Sequence, residues 1–323
     1  MKKSPKIIFL DAATVDFGDI KWRSLEALGQ FIRFDKTESD KLASRCAAAD
    51  IIITNKVLMR DYEVLKNSRL KLICASATGY NHIDVKAAKT MGMGVCNVPG
   101  YSTQTVAEHT LMFLLNLAHR FTEHMEASLK GAWSRSSHFT VLDFPFAELS
   151  GKTLGIIGYG TIGKAVAKLA TAFGMQILVA QIPGRKSKGN FQRHTLKTVL
   201  QKSDFVTMHC ALSETTKALI NDERLSFMKK SAYLLNVARG GIVDESAIIK
   251  HLNQNKLAGY ATDVLSQEPP AKTHPMLAAS LRHKVLVTPH IAWGSLEARQ
   301  KLVDEMALNI KAFLQGKKRN RVE

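Results

Sequence analysis

Cysteine is scarce in these 323 residues: Cys46, Cys74, Cys96 and Cys210 stand far apart, with no C-x-x-C pair. That spacing excludes a disulfide framework and carries no zinc-site signature. No metal is expected, and the thiols read as reduced core residues of an intracellular chain. Long apolar runs are missing too. Stretches such as Leu111–Leu115 fall far short of the ~20 residues that span a bilayer. Met1-Lys2-Lys3-Ser4-Pro5 leads straight into Ile7-Ile8-Phe9-Leu10, too short a run for a secretory signal and without a cleavage site. A cytoplasmic location is expected, with no membrane partner. Proline and glycine, at 8 and 20, form no biased tract, which excludes collagenous and largely disordered chains. Acidic residues are outnumbered, 28 against 45 Lys and Arg, for a net charge of +17. Such a field favours anionic partners. The basic residues are spread out, however, with clusters only at Arg185-Lys186-Ser187-Lys188 and Lys317-Lys318-Arg319-Asn320-Arg321, and no nucleic-acid-binding signature accompanies them. A solvated basic surface is the expectation, and nucleic acid is not an expected partner.

What is present is a globular composition, 46% hydrophobic and 23% charged, with a length that suggests two domains of ~150 residues. Short β-branched runs alternate with helical patterns, the mark of parallel α/β structure. Strands are predicted at Lys6–Leu10, Gln30–Phe34, Ile51–Thr54, Lys71–Ala75 and Gly94–Asn97. A second series runs Thr153–Ile157, Gln176–Val179, Phe205–His209, Ala232–Asn236, Ala258–Thr262 and Lys284–Thr288. Two series predict two doubly wound parallel-sheet domains of the Rossmann/flavodoxin-like kind. The halves echo each other, with Asp84 and Asp244 each standing as an N-cap after a glycine-bearing loop.

Between the series, Val106–Ala118 is apolar nearly all round and so predicts a buried helix. Ser102 to Thr105 offer N-caps, and Glu108 stands three after Thr105 with capping-box spacing. At the far end Ser295 predicts the cap of a helix with Leu296, Val303, Met306, Ile310 and Phe313 on one face, ended by Gly316. Such a helix returning to the first domain makes that domain discontinuous. The expected bounds are 1–98 plus 294–323 for this domain and 99–293 for the other.

Gly158-Tyr159-Gly160-Thr161-Ile162-Gly163 is a G-x-G-x-x-G run. Alone the pattern is weak, but here it follows a predicted strand and opens a predicted helix, Lys164–Phe173. Gly158 permits the tight turn, Gly160 lets backbone approach a pyrophosphate, and Gly163 lets helix pack on strand. In NAD-binding versions an acidic residue ~20 positions on binds the ribose. Gln181 stands there instead, followed by Arg185, Lys186 and Lys188. No carboxylate repels a 2′-phosphate, so NAD(H) and NADP(H) are both permitted.

Three polar residues stand in turns after strands of the second series, where open parallel sheets bind ligands. Arg239 precedes Gly240-Gly241, Glu268 precedes Pro269-Pro270, and His290 follows Pro289. A guanidinium fork can hold a carboxylate and polarise a neighbouring carbonyl. A histidine can protonate the forming alkoxide, and a glutamate can favour its charged form. Each has an ordinary reading by itself: a helix cap, a solvated loop, a satisfied backbone carbonyl. Set together beside a dinucleotide loop, they fit reduction of a small anionic 2-oxo acid to a 2-hydroxy acid.

These residues lie in motifs that resemble the D-isomer-specific 2-hydroxyacid dehydrogenases over almost the whole chain. The motifs are Thr78-Gly79-Tyr80-Asn81-His82-Ile83-Asp84, Asn97-Val98-Pro99-Gly100 through Val106-Ala107-Glu108, and the glycine loop. They continue in Asn236-Val237-Ala238-Arg239-Gly240-Gly241, Asp263-Val264 with Glu268-Pro269, and Thr288-Pro289-His290-Ile291-Ala292-Trp293. Tyr101-Ser102-Thr103-Gln104-Thr105 and Gly131-Ala132-Trp133-Ser134 look most like glycerate dehydrogenases, also called hydroxypyruvate reductases. The resemblance implies a homodimer, a site in an interdomain cleft, and Arg239, Glu268 and His290 as catalytic residues. It implies substrate binding by Ala77, Thr78, Gly79 and Arg239. Cofactor contacts are implied at Thr105, Thr161, Ile162, Gln181, Cys210, Ala211, Val237, Asp263 and His290. Gln181 departs from the usual acid, and Thr262 stands where a smaller or aliphatic residue is common, a change expected to be neutral. Phosphoglycerate and D-lactate dehydrogenases share the triad, and corepressor-like dinucleotide sensors share the fold, so both remain alternatives.

Overall fold

A computed structural model describes residues 4–47, 49–60, 69–184 and 191–323. Arg185, Lys186 and Lys188 lie outside the described residues. The chain divides into two compact units, Met1–Ser102 with Trp293–Glu323, and Thr103–Ala292.

Unbroken apolar runs form the first sheet because both of its faces are covered. Its strands β1 (Lys6–Phe9), β2 (Gln30–Arg33), β3 (Ile51–Thr54), β4 (Leu72–Ala75) and β5 (Gly94–Cys96) lie in the order β2-β1-β3-β4-β5, all parallel. Successive side chains alternate between faces. Ile7, Phe9, Ile51, Ile53 and Leu72 therefore pack with Trp22, Leu25 and the C-terminal helix Leu296–Leu314. Ile8, Leu10, Ile52, Ile73 and Val95 pack on the other side with Leu42, Met59 and Ala88.

Ser295 caps the C-terminal helix, accepting from the Ala298 amide at 3.2 Å, and Gly316 follows its end at φ +74°. Val303, Met306 and Ile310 are buried as the helical spacing predicts, but Leu296 is 48% exposed. It stands at the first helical position, and Ala298 and Leu302 carry the buried stripe there instead. The basic cluster beyond the helix is only partly a solvated surface. Arg319 reaches Glu305 and Asn309 at 2.6 Å each, and Val322 donates to the Val95 carbonyl at 3.0 Å, covering the β5 edge.

In the second unit β6 (Thr153–Ile157), β7 (Gln176–Val179), β8 (Phe205–Met208), β9 (Tyr233–Asn236), β10 (Gly259–Thr262) and β11 (Val285–Val287) form a parallel sheet. Its order is β11-β10-β9-β8-β6-β7. β6 has β7 on one side and β8 on the other, so the winding reverses there. A doubly wound sheet binds its ligand outside the carboxyl ends of strands at such a switch point. The helix Thr103–His119 packs on the glycine-loop helix Thr161–Ala172 and against β9 and β10, burying Val106, Phe113 and Leu114 among others. It starts earlier than its apolar run suggests, which overturns the capping box. Thr105 lies inside the first turn, and exposed Glu108 instead accepts from Gln104 Nε2 at 2.8 Å. Asp84 and Asp244 do cap helices, accepting from the Ala87 amide at 2.9 Å and the Ser246 amide at 3.0 Å. Among the described residues no helix is long and apolar enough to cross a membrane.

Candidate active site

The loops that leave the carboxyl ends of the second sheet hold most of the residues singled out by the sequence. Gly158 follows β6, Gln181 follows β7, Cys210 and Ala211 follow β8, Val237 and Arg239 follow β9, Asp263 and Glu268 follow β10, and His290 follows β11. Gly158 has φ +103°, and a Cβ there would lie 2.5 Å from the Cys210 nitrogen, so the β6 and β8 loops touch at the switch point. Gly160 is the N-cap of the helix that begins at Thr161 and Ile162, with no side-chain cap bond, and a Cβ on it would meet nothing within 4 Å. Amides at a helix start and the positive end of its dipole, with room for close approach, fit a pyrophosphate.

The polar triad is built from the backbone outward. Asn236, fully buried at the end of β9, accepts from the Ala238 amide at 3.1 Å and donates to the Arg239 carbonyl at 2.9 Å. That closes the turn on which exposed Arg239 stands, where its own Nη1 donates to the Ala238 carbonyl at 2.7 Å. Gly240 then passes so close to the next loop that a Cβ would lie 2.0 Å from the Leu265 carbonyl carbon. In that loop the Leu265 amide donates to Glu268 Oε1 at 2.9 Å, and Glu268 Oε2 lies 2.6 Å from His290 Nδ1. A carboxylate only accepts. Nδ1 therefore carries a hydrogen, and a proton exchanged with a substrate passes through Nε2.

His290 has φ +56°, an uncommon conformation for a residue with a Cβ. Its surroundings hold it. The His290 amide donates to the Thr288 carbonyl at 3.0 Å, and the next two amides, Ile291 and Ala292, both donate to Asp263 at 2.8 Å. Asp263 is 2% exposed and also accepts from Thr288 Oγ1 at 2.6 Å.

A guanidinium, a carboxylate–imidazole pair and a glycine loop thus lie along one sheet edge. Comparison with known proteins points the same way. A model of the family described as "D-isomer specific 2-hydroxyacid dehydrogenase, NAD binding domain" matches residues 111–292. The chain belongs to the D-isomer specific 2-hydroxyacid dehydrogenases. It is 36% identical to a glycerate dehydrogenase of Methylorubrum extorquens, covering 98% of this chain and 99% of that one. It is 35% identical to a hydroxypyruvate reductase of Blautia hydrogenotrophica, covering 96% and 97%. Among solved structures it resembles the NADPH-dependent glyoxylate/hydroxypyruvate reductase of Sinorhizobium meliloti in complex with NADP and malonate. That match has a TM-score of 0.79 and 26% identity, and covers 99% of this chain and 97% of that one.

The cofactor of this dehydrogenase is NAD(H) or NADP(H). The expected cofactor positions are unequal in their settings. Cys210 and Val237 are nearly buried at strand ends, Ala211 and Thr161 are exposed, and Thr105, Ile162 and Gln181 are intermediate. Gln181 Nε2 donates to the Ile182 carbonyl at 3.2 Å. Between β8 and Cys210, burial pushes the His209 imidazole down to about 3, so it is neutral, with Nε2 3.0 Å from Thr207 Oγ1.

Ala77, Thr78 and Gly79 follow β4 in the first unit. Their loop is tied from behind: the Val98 amide donates to the Ala77 carbonyl at 3.0 Å, and Asn97 Nδ2 donates to the Thr78 carbonyl at 2.7 Å. Sequence reasoning missed several supports of the site. Asn236 opens the motif that contains Arg239, but its spacing gives it no role of its own. Glu245, which reads as an ordinary first-turn acid, accepts from the Ser266 amide at 2.6 Å and its hydroxyl at 2.7 Å, bracing the Glu268 loop. Thr262 buries its hydroxyl, which donates to the Val264 carbonyl at 2.6 Å.

Proposed function

We propose that this dehydrogenase interconverts hydroxypyruvate and D-glycerate, and glyoxylate and glycolate, small anions suited to a basic chain. The observation that carries this reading is a Glu268–His290 pair at 2.6 Å on the sheet edge that also carries the Arg239 turn and the glycine loop. The names of relatives similar over nearly the full chain support the substrate class. Bound nicotinamide dinucleotide supplies or takes the hydride. Arg239 holds the substrate carboxylate through its fork and polarises the carbonyl. His290 delivers a proton from Nε2 to the forming alkoxide, and Glu268 stabilises the imidazolium and orients the ring. Ala77, Thr78 and Gly79 carry backbone N–H groups suited to a carboxylate, which assigns substrate binding to the first unit. Four buried cysteines outside any disulfide suit a reducing, cytoplasmic setting.

Steady-state turnover of hydroxypyruvate, glyoxylate, pyruvate and phosphohydroxypyruvate, each with NADH and NADPH, tests the reading. Hydroxypyruvate is expected to give the highest kcat/KM. Preference for pyruvate or the phosphorylated acid overturns the assignment, and dinucleotide binding without turnover of any acid favours a sensor.

Cofactor choice is expected to be broad, because neutral Gln181 neither repels a 2′-phosphate nor offers a carboxylate to the ribose. Gln181→Asp should move the ratio of kcat/KM values toward NADH by about tenfold, which is ~1.4 kcal/mol of discrimination. A shift toward NADPH, or none, places discrimination elsewhere.

The second unit also carries the apolar surface expected of a homodimer contact. Phe121, Leu129, Trp133, Phe139, Leu142 and Phe146 are all more than half exposed, Phe139 at 92% and Leu129 at 80%. Apolar exposure of this density marks an interaction surface. Sedimentation at micromolar concentration should give a dimer contacting through the helix Thr103–His119 and residues 121–146. A monomer rejects this.

A further inference from the structure

His109 lies on the helix Thr103–His119, beneath the loop that carries His290, and the triad leaves it unused. Its Nε2 is 3.0 Å from Thr288 Oγ1 and 3.8 Å from Asp263 Oδ1. The ring is fixed from the side by Phe113, edge to face with centroids 4.7 Å apart, and its side chain is 12% exposed. Thr288 has one hydroxyl hydrogen. At 2.6 Å from Asp263 Oδ1, that hydrogen goes to the carboxylate, which can only accept. The Thr288 oxygen is then left to accept, and His109 must donate to it. Burial holds the imidazole below the ordinary histidine range against the pull of Asp263, in keeping with a neutral ring.

We propose that His109 is a positioning residue for the dehydrogenase reaction. It donates from Nε2–H to Thr288, which donates to Asp263, and this directed chain fixes the carboxylate that clamps the His290 loop. The physical need is specific. Asp263 holds the Ile291 and Ala292 amides, the two that follow a residue at φ +56°, so rotation of that carboxylate frees a backbone that relaxes toward negative φ. His290 Nε2 then moves away from the path along which it passes a proton, without loss of the fold. This inference rests on the proposed reading for its kinetic consequences, but the hydrogen-bond chain itself does not.

The first test is therefore made on the free protein. Two-bond nitrogen–carbon correlation of ring-labelled histidine should show His109 neutral with its hydrogen on Nε2 near neutral pH. An Nδ1–H tautomer or an imidazolium overturns the chain whatever the enzyme turns over. The second test is kinetic. His109→Leu removes the donor at similar volume, whereas His109→Gln keeps an amide N–H at the reach of Nε2. The leucine variant should lose about tenfold to a hundredfold in kcat, the scale of a misplacement near 1 Å, with KM for hydroxypyruvate changed less than about threefold. The glutamine variant should recover most of that loss at an equal melting temperature. Equal losses in both, no loss in either, or a change confined to KM refutes the positioning role. Thr288→Val against Thr288→Ser repeats the comparison on the middle member should His109→Leu not fold. Wild-type inactivity on every acid, with the Nε2–H tautomer observed, would discard the proposed substrates and retain the chain.

Discussion

His290→Ala is expected to lower kcat for hydroxypyruvate reduction by about 10²–10⁴-fold, the range for a lost general acid, with dinucleotide affinity nearly unchanged. The loop that carries His290 is held by Asp263 through other residues' amides and hydroxyl, so removal of the imidazole leaves its anchors in place. His290→Asn is the companion variant, because asparagine tolerates the positive φ at this position better than alanine does. Equal losses in the two variants assign the effect to chemistry and not to backbone relaxation. Glu268→Gln separates charge from shape. Glutamine can still meet Nδ1 and accept from the Leu265 amide, which now lie at 2.6 and 2.9 Å from the carboxylate. What it lacks is the negative charge that steadies the ring when it carries the proton to be delivered. Its kcat for hydroxypyruvate reduction should fall by about tenfold, ~1.4 kcal/mol at the transition state, with KM nearly unchanged. A Glu268→Gln enzyme as fast as wild type would remove Glu268 as the partner of His290.

Much of this site was legible in the sequence because its chemistry is tied to strand ends. A parallel sheet covered on both faces writes its strands as unbroken apolar runs, as at Ile51-Ile52-Ile53. Whatever polar residue follows such a run then stands at the carboxyl edge, as Arg239, Glu268 and His290 do. The supports were illegible for the opposite reason. His109 meets Thr288 across 179 positions, and Glu245 meets Ser266 across 21, so no local spacing announces either bond. Local rules also misled where two answers satisfied the same pattern. Thr105 and Glu108 have the spacing of a capping box, but the apolar run that dates the helix start begins only after Thr103–Thr105 have already been wound into the first turn. The cluster Lys317–Arg321 reads as solvated charge, whereas Arg319 is tied to Glu305 and Asn309 by tertiary contacts that composition does not encode.

The three glycines of the phosphate loop look alike in sequence, yet substitutions at them should fail in different ways. A Cβ on Gly158 would lie 2.5 Å from the Cys210 nitrogen, on a backbone at φ +103°, and one on Gly163 would lie 2.2 Å from the Gly158 carbonyl oxygen. Both collisions are with backbone, so alanine at either position should destabilise the second unit and lower the melting temperature of the free protein. Gly160 has no such neighbour within 4 Å, and its φ of −86° with ψ −157° is extended backbone open to any L residue. Its missing side chain leaves space beside the first amides of the helix Thr161–Ala172, where a pyrophosphate would approach the main chain. Gly160→Val should therefore fold with a melting temperature close to wild type and still fail to hold the cofactor. Calorimetric titration with NADH and with NADPH should show affinity reduced by at least about 100-fold, or ~2.7 kcal/mol. Gly160→Ala, with a single methyl group in that space, should fall between. Unchanged affinity in the valine variant, with the fold intact, would mean that the phosphates do not pass over Gly160 and that the dinucleotide lies elsewhere along the sheet edge.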